Sequence, residues 1–244
     1  MFDNLLWTLV WALVVDQAAV LATSIKLHRG ETHQSLVLHP IIDWLFRCVL
    51  WITTGIYRRN WVAVHRKHHT FTETEKDPHS PRQKGFWNIQ IGNIYYYVKA
   101  TKEQDLLTKY APNIKDDVWD RWFFNHGLLG LAIGITSLCV LLGWRRGLLA
   151  ASIHAFLYVF VISSSINGLC HWFGYKNFDN TAGNIPILAW LTGGEAWHNN
   201  HHNRQRCPQF SYRHDEFDPS WSLVIRPLEF ICLAEPYRGI GGLR

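Results

Sequence analysis

Three apolar runs limit this chain to a small set of folds. They cover residues 5–25, 123–144 and 147–170, and about 20 apolar residues in a helix cross the hydrocarbon core of a bilayer. Only Arg145 and Arg146 separate the second run from the third, which predicts a helical hairpin with a very tight turn. The alternative for the hairpin is a pair of buried core helices, because neither run is free of polar groups. The sequence therefore predicts an all-α integral membrane protein with about three transmembrane helices, in a single domain over residues 1–244.

The first apolar run contains two polar residues near its middle. Asp16 and Gln17 interrupt it, and a charged group at bilayer depth costs about 2.5 to 3.5 kcal/mol on insertion scales. A re-entrant or interfacial segment is therefore the alternative to a span, although packing of Asp16 inside a helix bundle would reduce the cost. The run lacks a basic start and a small-residue cleavage site, so we expect a span and not a cleaved signal peptide.

A fourth segment, residues 36–57, has an amphipathic pattern. Asp43 and Arg47 lie four residues apart and share one side of a helix. A stripe of apolar residues runs along the segment: Leu45, Val49, Ile52 and Ile56. This pattern favours an interfacial helix lying on the membrane over a further span.

Eight of the 14 histidines fall into three short clusters beside the apolar runs. They are His28 and His33, then His65, His68 and His69, then His198, His201 and His202. The H-x-x-H-H spacing of the second and third clusters places three imidazoles on one helix face, and neutral imidazole is a metal ligand. An exposed polar helix would explain one such cluster, but it is a poor explanation of three.

The first cluster differs, because His28 and His33 lie five residues apart. On an ideal helix this spacing separates two side chains by about 140°. We therefore expect the two residues to serve two neighbouring ions, or one ion from either side of a helix end.

The number and type of the ligands indicate the metal. Eight imidazoles are too many for one ion, and the five cysteines contain no C-x-x-C pair that would suggest structural zinc. Two first-row transition ions fit a nitrogen-rich site, and iron is the member of that group that activates oxygen with imidazole ligands and open positions. The full pattern of soluble carboxylate-bridged di-iron proteins, with Glu residues and two Glu-x-x-His pairs on a four-helix bundle, is absent.

The words HRGETH, HRKHH and HNNHH, with FTETEKDPHSP after the second and GGEAW before the third, resemble the membrane fatty acid desaturases of the acyl-CoA delta-nine type. The resemblance covers roughly residues 24–214. It implies a di-iron centre, in a cap on the cytosolic face, that uses O2 to remove two hydrogens from a saturated acyl chain and leaves a cis double bond. It also implies that the eight clustered histidines are iron ligands, that His171 is a ninth, and that Asn167 holds a water near one iron.

The chain departs from this pattern in two places. Only 27 residues precede His28, which is room for one span where the family usually has two. Gln34 stands where the delta-nine group typically has a basic residue. A hydroxylase on the same scaffold remains an alternative, and a membrane metal carrier is a second one, although a carrier would be expected to place its ligands inside the spans.

The same words suggest the partners. We expect a fatty acyl substrate linked to CoA or to lipid, together with O2 and the bilayer. No haem motif, iron–sulfur cysteine run or dinucleotide fingerprint is present, so a separate electron-transfer protein must supply electrons. The net charge of +5 favours an acidic carrier, and nucleic acid is a poor alternative because the basic residues flank membrane segments.

The basic segments 58–67 and 204–213 predict that the histidine boxes lie on the cytoplasmic face. Arg145 and Arg146, at the hairpin turn, argue mildly for the opposite orientation. With three spans, the N-terminus would face out.

Four further residues near the boxes could have either a role at the metal or a purely structural one. Glu195 either orients a ligand imidazole or caps a helix. Asn199 and Asn200 are expected to turn or cap the chain and not to bind metal. His79 follows Asp77 and Pro78 in a sequence typical of a turn, so we do not include it among the ligands.

Overall fold

The computed structural model describes the backbone of residues 2–239 and the side chains of residues 5–239. Two helical rods in this part of the chain are long and apolar enough to cross a membrane: Leu5–Thr32 and Trp144–His171, of 28 residues each. The first consists of α1 (Phe2–Ala22) and a π-helical segment (Thr23–Thr32). The second consists of α8 (Trp144–Phe156), a π-helical segment (Leu157–Ser163), α9 (Ser164–Asn167) and a 3-10 turn (Leu169–His171).

The third predicted span is shorter than expected. A π-helical segment (Asp120–Phe124) ends at Asn125, and α7 (Gly127–Leu142) begins a new helix of 16 residues. At 1.5 Å per residue α7 is about 24 Å long, which is less than the ~30 Å hydrocarbon core. Among the described residues, two helices therefore reach spanning length where the sequence predicted about three. The predicted hairpin is present, since α7 and α8 meet at Gly143 with φ 80°.

The helix predicted over residues 36–57 is shorter than expected, and its position on a membrane surface stays a prediction. Residues Leu36–Leu38 form β1, which pairs antiparallel with β2 (Ala234–Pro236). The helix α2 (Pro40–Thr54) begins at a proline and ends at Gly55. Its polar side is not open to water, because Arg47 is buried and bonds Asp117 at 2.7 Å.

A close contact joins α2 to α7. A Cβ added to Gly134 would lie 2.1 Å from the carbonyl oxygen of Ile52, and one added to Gly130 would lie 2.3 Å from that of Trp51. Glycine lets the two backbones approach, as small residues do between membrane helices. The outer faces of these helices are apolar, with Leu128 and Val140 each at least 80% exposed, as expected for a surface that contacts lipid.

Asp16 lies inside the bundle, as its charge requires. It is buried on α1, and its Oδ1 is 3.4 Å from Nδ1 of His154 on α8. His154 also donates from Nε2 to the carbonyl oxygen of Thr53 on α2, at 2.9 Å. Asp16 and His154 thus lie between three helices, which keeps the carboxylate inside the bundle and away from lipid.

The remaining elements form a cap over one end of the bundle. They are α3 (Arg58–Phe71), α4 (Pro81–Lys84), α5 (Phe86–Thr101), α6 (Leu106–Tyr110), α10 (Pro186–Leu191), α11 (His198–Asn203), a π-helical segment (Ser220–Ile225) and α12 (Arg226–Phe230). An apolar core of Val62, Ala63, Val64, Ala100 and Leu106 joins α3, α5 and α6. Because α3 and α11 bring two of the histidine clusters into this cap, it contains the candidate site.

Candidate metal centre

The nine histidines predicted to bind metal lie in two adjacent groups. Within each group the nitrogen atoms that could bind an ion all lie within 4.8 Å of one another. The five-histidine group contains His28, His33, His65, His69 and His201. The four-histidine group contains His68, His171, His198 and His202.

Each H-x-x-H-H box is divided between the two groups. On α3, His65 and His69 are one helical turn apart and join the five-histidine group, while His68 joins the other. On α11 the division is reversed, because His198 and His202 join the four-histidine group and His201 joins the five-histidine group. Each group thus contains the first and last histidines of one box and the middle histidine of the other.

A π-helix explains how His28 and His33 reach the same group. The backbone N–H of His33 donates to the carbonyl oxygen of His28 at 3.1 Å, a bond between residues five apart. Such bonds define a π-helix, which is wider than an α-helix, so side chains five residues apart lie almost above one another. The two ring centroids are 4.8 Å apart. Of the two expectations for this pair, separate ions is the one that the shared group contradicts, whereas His28 inside the helical segment and His33 at its C-cap fit one ion held from either side of a helix end.

Four Nε2 atoms of the five-histidine group form a closed ring of short contacts. The Nε2 of His28 lies 3.0 Å from that of His201 and 2.9 Å from that of His65. The Nε2 of His69 lies 3.0 Å from that of His65 and 3.1 Å from that of His201. Nitrogens spaced by about 3 Å around one point lie about 2 Å from it, which is the usual distance between imidazole and a metal.

The four-histidine group has the same character. The Nε2 of His198 lies 2.9 Å from that of His171 and 3.1 Å from that of His202. The Nε2 of His68 is buried and has no hydrogen-bond partner in the described part of the chain. In each group several ring nitrogens face one another, and there are too few protons for every contact to be a hydrogen bond. A cation between the nitrogens would relieve the repulsion between their lone pairs, so both groups fit a metal.

Three carboxylates determine which nitrogen is free. Glu195 contacts Nδ1 of His28, Asp77 lies 3.0 Å from Nδ1 of His68, and Glu73 lies 3.0 Å from Nδ1 of His171. A carboxylate beside Nδ1 favours the tautomer that carries its proton on Nδ1, which leaves the lone pair on Nε2 and raises its basicity. Asp77 and His68 form this hydrogen bond, whereas Glu73 and His171 are in close contact only. Of the two interpretations of Glu195, orientation of an imidazole is therefore the one that the contacts support.

Burial lowers the pKa of several of these imidazoles. It lowers the pKa of His198 to about 3. The same cause lowers the pKa of five more histidines of the two groups well below the ordinary value: His33, His65, His69, His201 and His202. Burial alone would raise the pKa of the Glu195 carboxyl, but His28 and Arg29 beside it hold that pKa below the usual range. Neutral imidazoles beside ionised carboxylates are the protonation states that a metal site needs.

Sequence reasoning missed the roles of the segment after the second box. Asp77 and His79 form a third group with His68, and both ring nitrogens of His79 are buried without a hydrogen-bond partner in the described part of the chain. Asp77 also accepts from the backbone N–H of Glu73 and of His79. The predicted turn at Asp77 is present. A turn next to a histidine box can bring the carboxylate of a turn residue to an imidazole, and the position of Asp77 so close to the second box was the available clue to its role.

Asn199 and Asn200 brace the loops around α11. The Oδ1 of Asn199 accepts from the backbone N–H of Asn177 at 2.7 Å, and Nδ2 of Asn200 donates to Glu216 at 2.8 Å. Both residues lie within α11, so they hold distant loops and do not turn or cap the chain as expected.

An apolar cavity of about 300 Å³ opens beside the five-histidine group. Its wall near the metal centre includes His28, His65 and His79. From there the lining follows the second rod from Asn167 back to His154, about 20 Å at 1.5 Å per residue. Among its apolar members are Val20, Leu131, Ala155, Val159 and Ile162. The cavity has the shape and chemistry to hold an extended hydrocarbon chain with one part beside the histidines.

Asn167 lies in the cavity wall, and its Nδ2 donates to Oδ1 of Asn93 at 3.1 Å. Its expected role in holding a water near an ion stays a prediction.

Comparison with known proteins agrees with this geometry. The family described as fatty acid desaturase matches residues 5–215. The chain is 30% identical over 217 residues to an sn-1 stearoyl-lipid 9-desaturase of Synechocystis, in an alignment covering 87% of this chain and 65% of that protein. It is 28% identical over 243 residues to a delta-9 acyl-lipid desaturase of Arabidopsis thaliana, covering 93% of this chain and 74% of that protein. An acyl-CoA 5-desaturase of Anemone leveillei is also 28% identical, over 240 residues that cover 93% of this chain and 71% of that protein. Since the family match covers most of the chain, and the residues it covers include both histidine groups, this protein belongs to the fatty acid desaturase family.

Proposed function

We propose that this protein is an oxygen-dependent fatty acyl desaturase that introduces a cis double bond into a saturated acyl chain. The observation that supports it best is the position of nine imidazoles, in two groups, beside the wall of an apolar cavity. The names of the relatives, which include stearoyl-lipid, acyl-lipid and acyl-CoA desaturases, support the same reaction. The substrate is accordingly a fatty acyl chain linked to lipid or to CoA.

The proposed cofactor is a pair of iron ions, one in each histidine group. Bound there, the irons would supply the activation of O2 that removal of hydrogen from an unactivated chain requires. Their ligands are the nine histidines of the two groups, and Asn167 is the proposed holder of a water. Glu195, Asp77 and Glu73 keep the proton of their imidazoles on Nδ1, so that Nε2 faces the ion.

The protein positions the chain and excludes water. Apolar side chains of both long rods line the cavity, so an acyl chain enters it with its polar headgroup left outside. We place the histidine groups on the cytoplasmic face of a multi-pass membrane protein, with the bilayer around the long rods. Electrons come from a separate electron-transfer protein.

The test is product analysis in a host that contains the protein. A labelled stearoyl chain is supplied, and mass spectrometry reports the mass, bond position and geometry of the product. We expect a loss of two hydrogens at one position and a cis bond. His68→Ala and His201→Ala, one from each histidine group, should each reduce product at least 100-fold without loss of membrane insertion.

The matched control is His214→Ala, because His214 is exposed and belongs to neither group. It should leave the amount of product unchanged. A product that gains a hydroxyl group and keeps its single bond would assign the protein to the hydroxylases instead. Substantial product from either group variant would show that the histidine groups are not the reaction centre.

A further inference from the structure

The five-histidine group reaches the surface on the side away from the apolar cavity. His33 and His69 line an open recess of about 480 Å³, while His28 and His65 line the apolar cavity. The recess is a second face of the same group, and it is polar where the cavity is apolar. Nε2 of His33 and Nδ1 of His69 have no hydrogen-bond partner in the described part of the chain.

The rim of this recess is basic. Arg66, Lys109 and Arg206 line it, and none of the described residues in its lining is acidic. The guanidinium of Arg66 donates only to neutral oxygens, including those of Thr32 and Tyr110 at 3.0 Å each. Its positive charge is therefore not neutralised by a carboxylate in contact.

The other two cations are exposed. Arg206 stacks on the ring of Tyr237 with its Cζ 4.0 Å from the centroid, and it contacts no described carboxylate. Lys109 lies 4.0 Å from Asp105, an exposed pair that contributes little attraction. Both side chains can face a partner without breaking a strong bond.

A neighbouring recess provides an internal comparison. It shares Lys109 and Tyr110 with the first, and its lining adds lysines that include Lys76 and Lys99. It also contains carboxylates, such as Glu103, and none of the nine histidines lines it. Positive charge alone therefore does not distinguish the first recess, whereas positive charge next to the five-histidine group does.

We propose that the recess at Arg66, Lys109 and Arg206 is the docking site of an acidic one-electron carrier protein, and that electrons enter through the five-histidine group. The proposal rests on the proposed desaturase function. In that reaction O2 takes two electrons and two protons from the acyl chain. It takes one further electron from each of two carrier molecules and two protons from the solvent, and two molecules of water form. A docked carrier would lie against His33 and His69, which are themselves members of the group. A short path matters because electron transfer between proteins slows steeply with distance.

The size and charge of the surface fit such a partner. Electron-transfer complexes use small interfaces and are short-lived, and a basic patch speeds the approach of an acidic partner in a way that salt weakens. The opposite face of the group stays filled by the acyl chain. Electrons and substrate therefore reach the centre from different sides and do not compete for space.

The experiment compares two reductants. Purified protein in a neutral detergent receives electrons either from reduced methyl viologen, a small cation, or from an acidic carrier protein. The carrier is a plant-type ferredoxin or an acidic b-type cytochrome, whichever supports faster turnover of the unmodified protein. The test variant is Lys109→Glu with Arg206→Glu. The matched control is Lys76→Glu with Lys99→Glu in the neighbouring recess, which makes the same change in net charge.

We expect the test variant to lose at least about tenfold in carrier-driven kcat/KM at low salt, with a weaker dependence on ionic strength. Its viologen-driven rate and its iron content should stay within twofold of the unmodified protein. The control variant should lose less than twofold with either reductant.

Equal losses in the test and control variants would overturn the proposal, because the effect would then be one of net charge. A loss that is absent in detergent and present only in vesicles with anionic lipid would also overturn it, and would assign the recess to lipid headgroups. If the unmodified protein made no product with viologen, the proposed function itself would fail, and the docking site with it.

Discussion

At the scale of single residues, the carboxylates beside the histidines decide the properties of the centre. Each of Glu195, Asp77 and Glu73 comes from a segment outside the boxes and holds one Nδ1. Arg29 is buried and lies 3.1 Å from Glu195 and 2.9 Å from Asp218, so its positive charge offsets negative charge on these carboxylates. The imidazoles are therefore oriented before any ion arrives.

Replacing a carboxylate by its amide should weaken one metal site. Glu195→Gln keeps the shape of the side chain but offers a donor to Nδ1 of His28, so the favoured tautomer is lost and metal affinity should fall about 10- to 100-fold. The rate at which a chelator removes metal from the purified protein measures this. Glu73→Gln should have a similar effect through His171, and the exposed Glu235→Gln should have none. Equal chelation rates in all three variants would contradict the orienting role.

The metal-free protein should be less stable in acid. The pKa of His198 and that of His79 are held at about 3 in the folded protein against about 6.5 in an unfolded chain. The unfolded state therefore binds more protons as the pH falls below about 6.5, and stability is lost down to the folded pKa. Asp77, whose pKa is lowered, stays ionised over this range.

The measurement is the Tm of the chelated protein at pH 7.5 and pH 5.0. We expect a lower Tm at pH 5.0, and a rise when ferrous ion is added at pH 7.5, because an ion that binds only the folded state stabilises it. An equal or higher Tm at pH 5.0 would be inconsistent with neutral buried imidazoles.

At the scale of elements, π-helical segments and small residues position the centre. The π-helical segment Thr23–Thr32 ends the first rod and turns His28 and His33 toward one group. Another, Leu157–Ser163, lies in the second rod beside the cavity. Insertions of this kind are frequent at functional sites, and here they change the direction of side chains that an α-helix would separate.

The contact between α2 and α7 should not tolerate a side chain. In Gly134→Ala the new Cβ would meet the Ile52 carbonyl oxygen at 2.1 Å, so the helices must separate at a cost of about 1 to 3 kcal/mol. Thermal unfolding in detergent should show a lower Tm. Gly92→Ala in α5 is the control, because its Cβ would meet only Tyr96 at 3.8 Å, and it should leave the Tm unchanged or raise it. A Tm that is the same for Gly134→Ala and the unmodified protein would rule out this close contact.

At the scale of the whole molecule, a bundle with an apolar surface supports a polar cap. The two rods of 28 residues meet the cap at the ends that bear His28 and His171. The other end of the second rod is the α7–α8 turn at Gly143. If the rods cross a membrane, the turn and the cap must lie on opposite faces.

Labelling of single cysteines in sealed vesicles tests this arrangement. In a background with all five native cysteines replaced by serine, we expect Glu75→Cys in the cap to react with an impermeant maleimide from the cytoplasmic side. Arg145→Cys at the turn should react only from the opposite side. Reaction of both positions from the same side would show that the hairpin does not cross the membrane.

The sequence by itself determined the helical class, the apolar rods and the histidines that form the centre. These features depend on local properties, since a run of apolar residues or an H-x-x-H-H spacing has its meaning within one helix. The word FTETEKDPHSP also indicated a turn at Asp77 correctly, because turn chemistry involves neighbouring residues.

Only the tertiary structure decided how the boxes are shared between two groups, and which carboxylate meets which imidazole. His28 and His201 are 173 positions apart, and their contact depends on how the π-helical segment Thr23–Thr32 and α11 meet. The burial of Arg47 against Asp117 likewise depends on a segment 70 residues away, which the amphipathic pattern of α2 does not indicate. The π-helical segment around His28 was hidden for the same reason: the cost of widening a helix is offset by contacts with distant residues, and these leave no local pattern in the sequence.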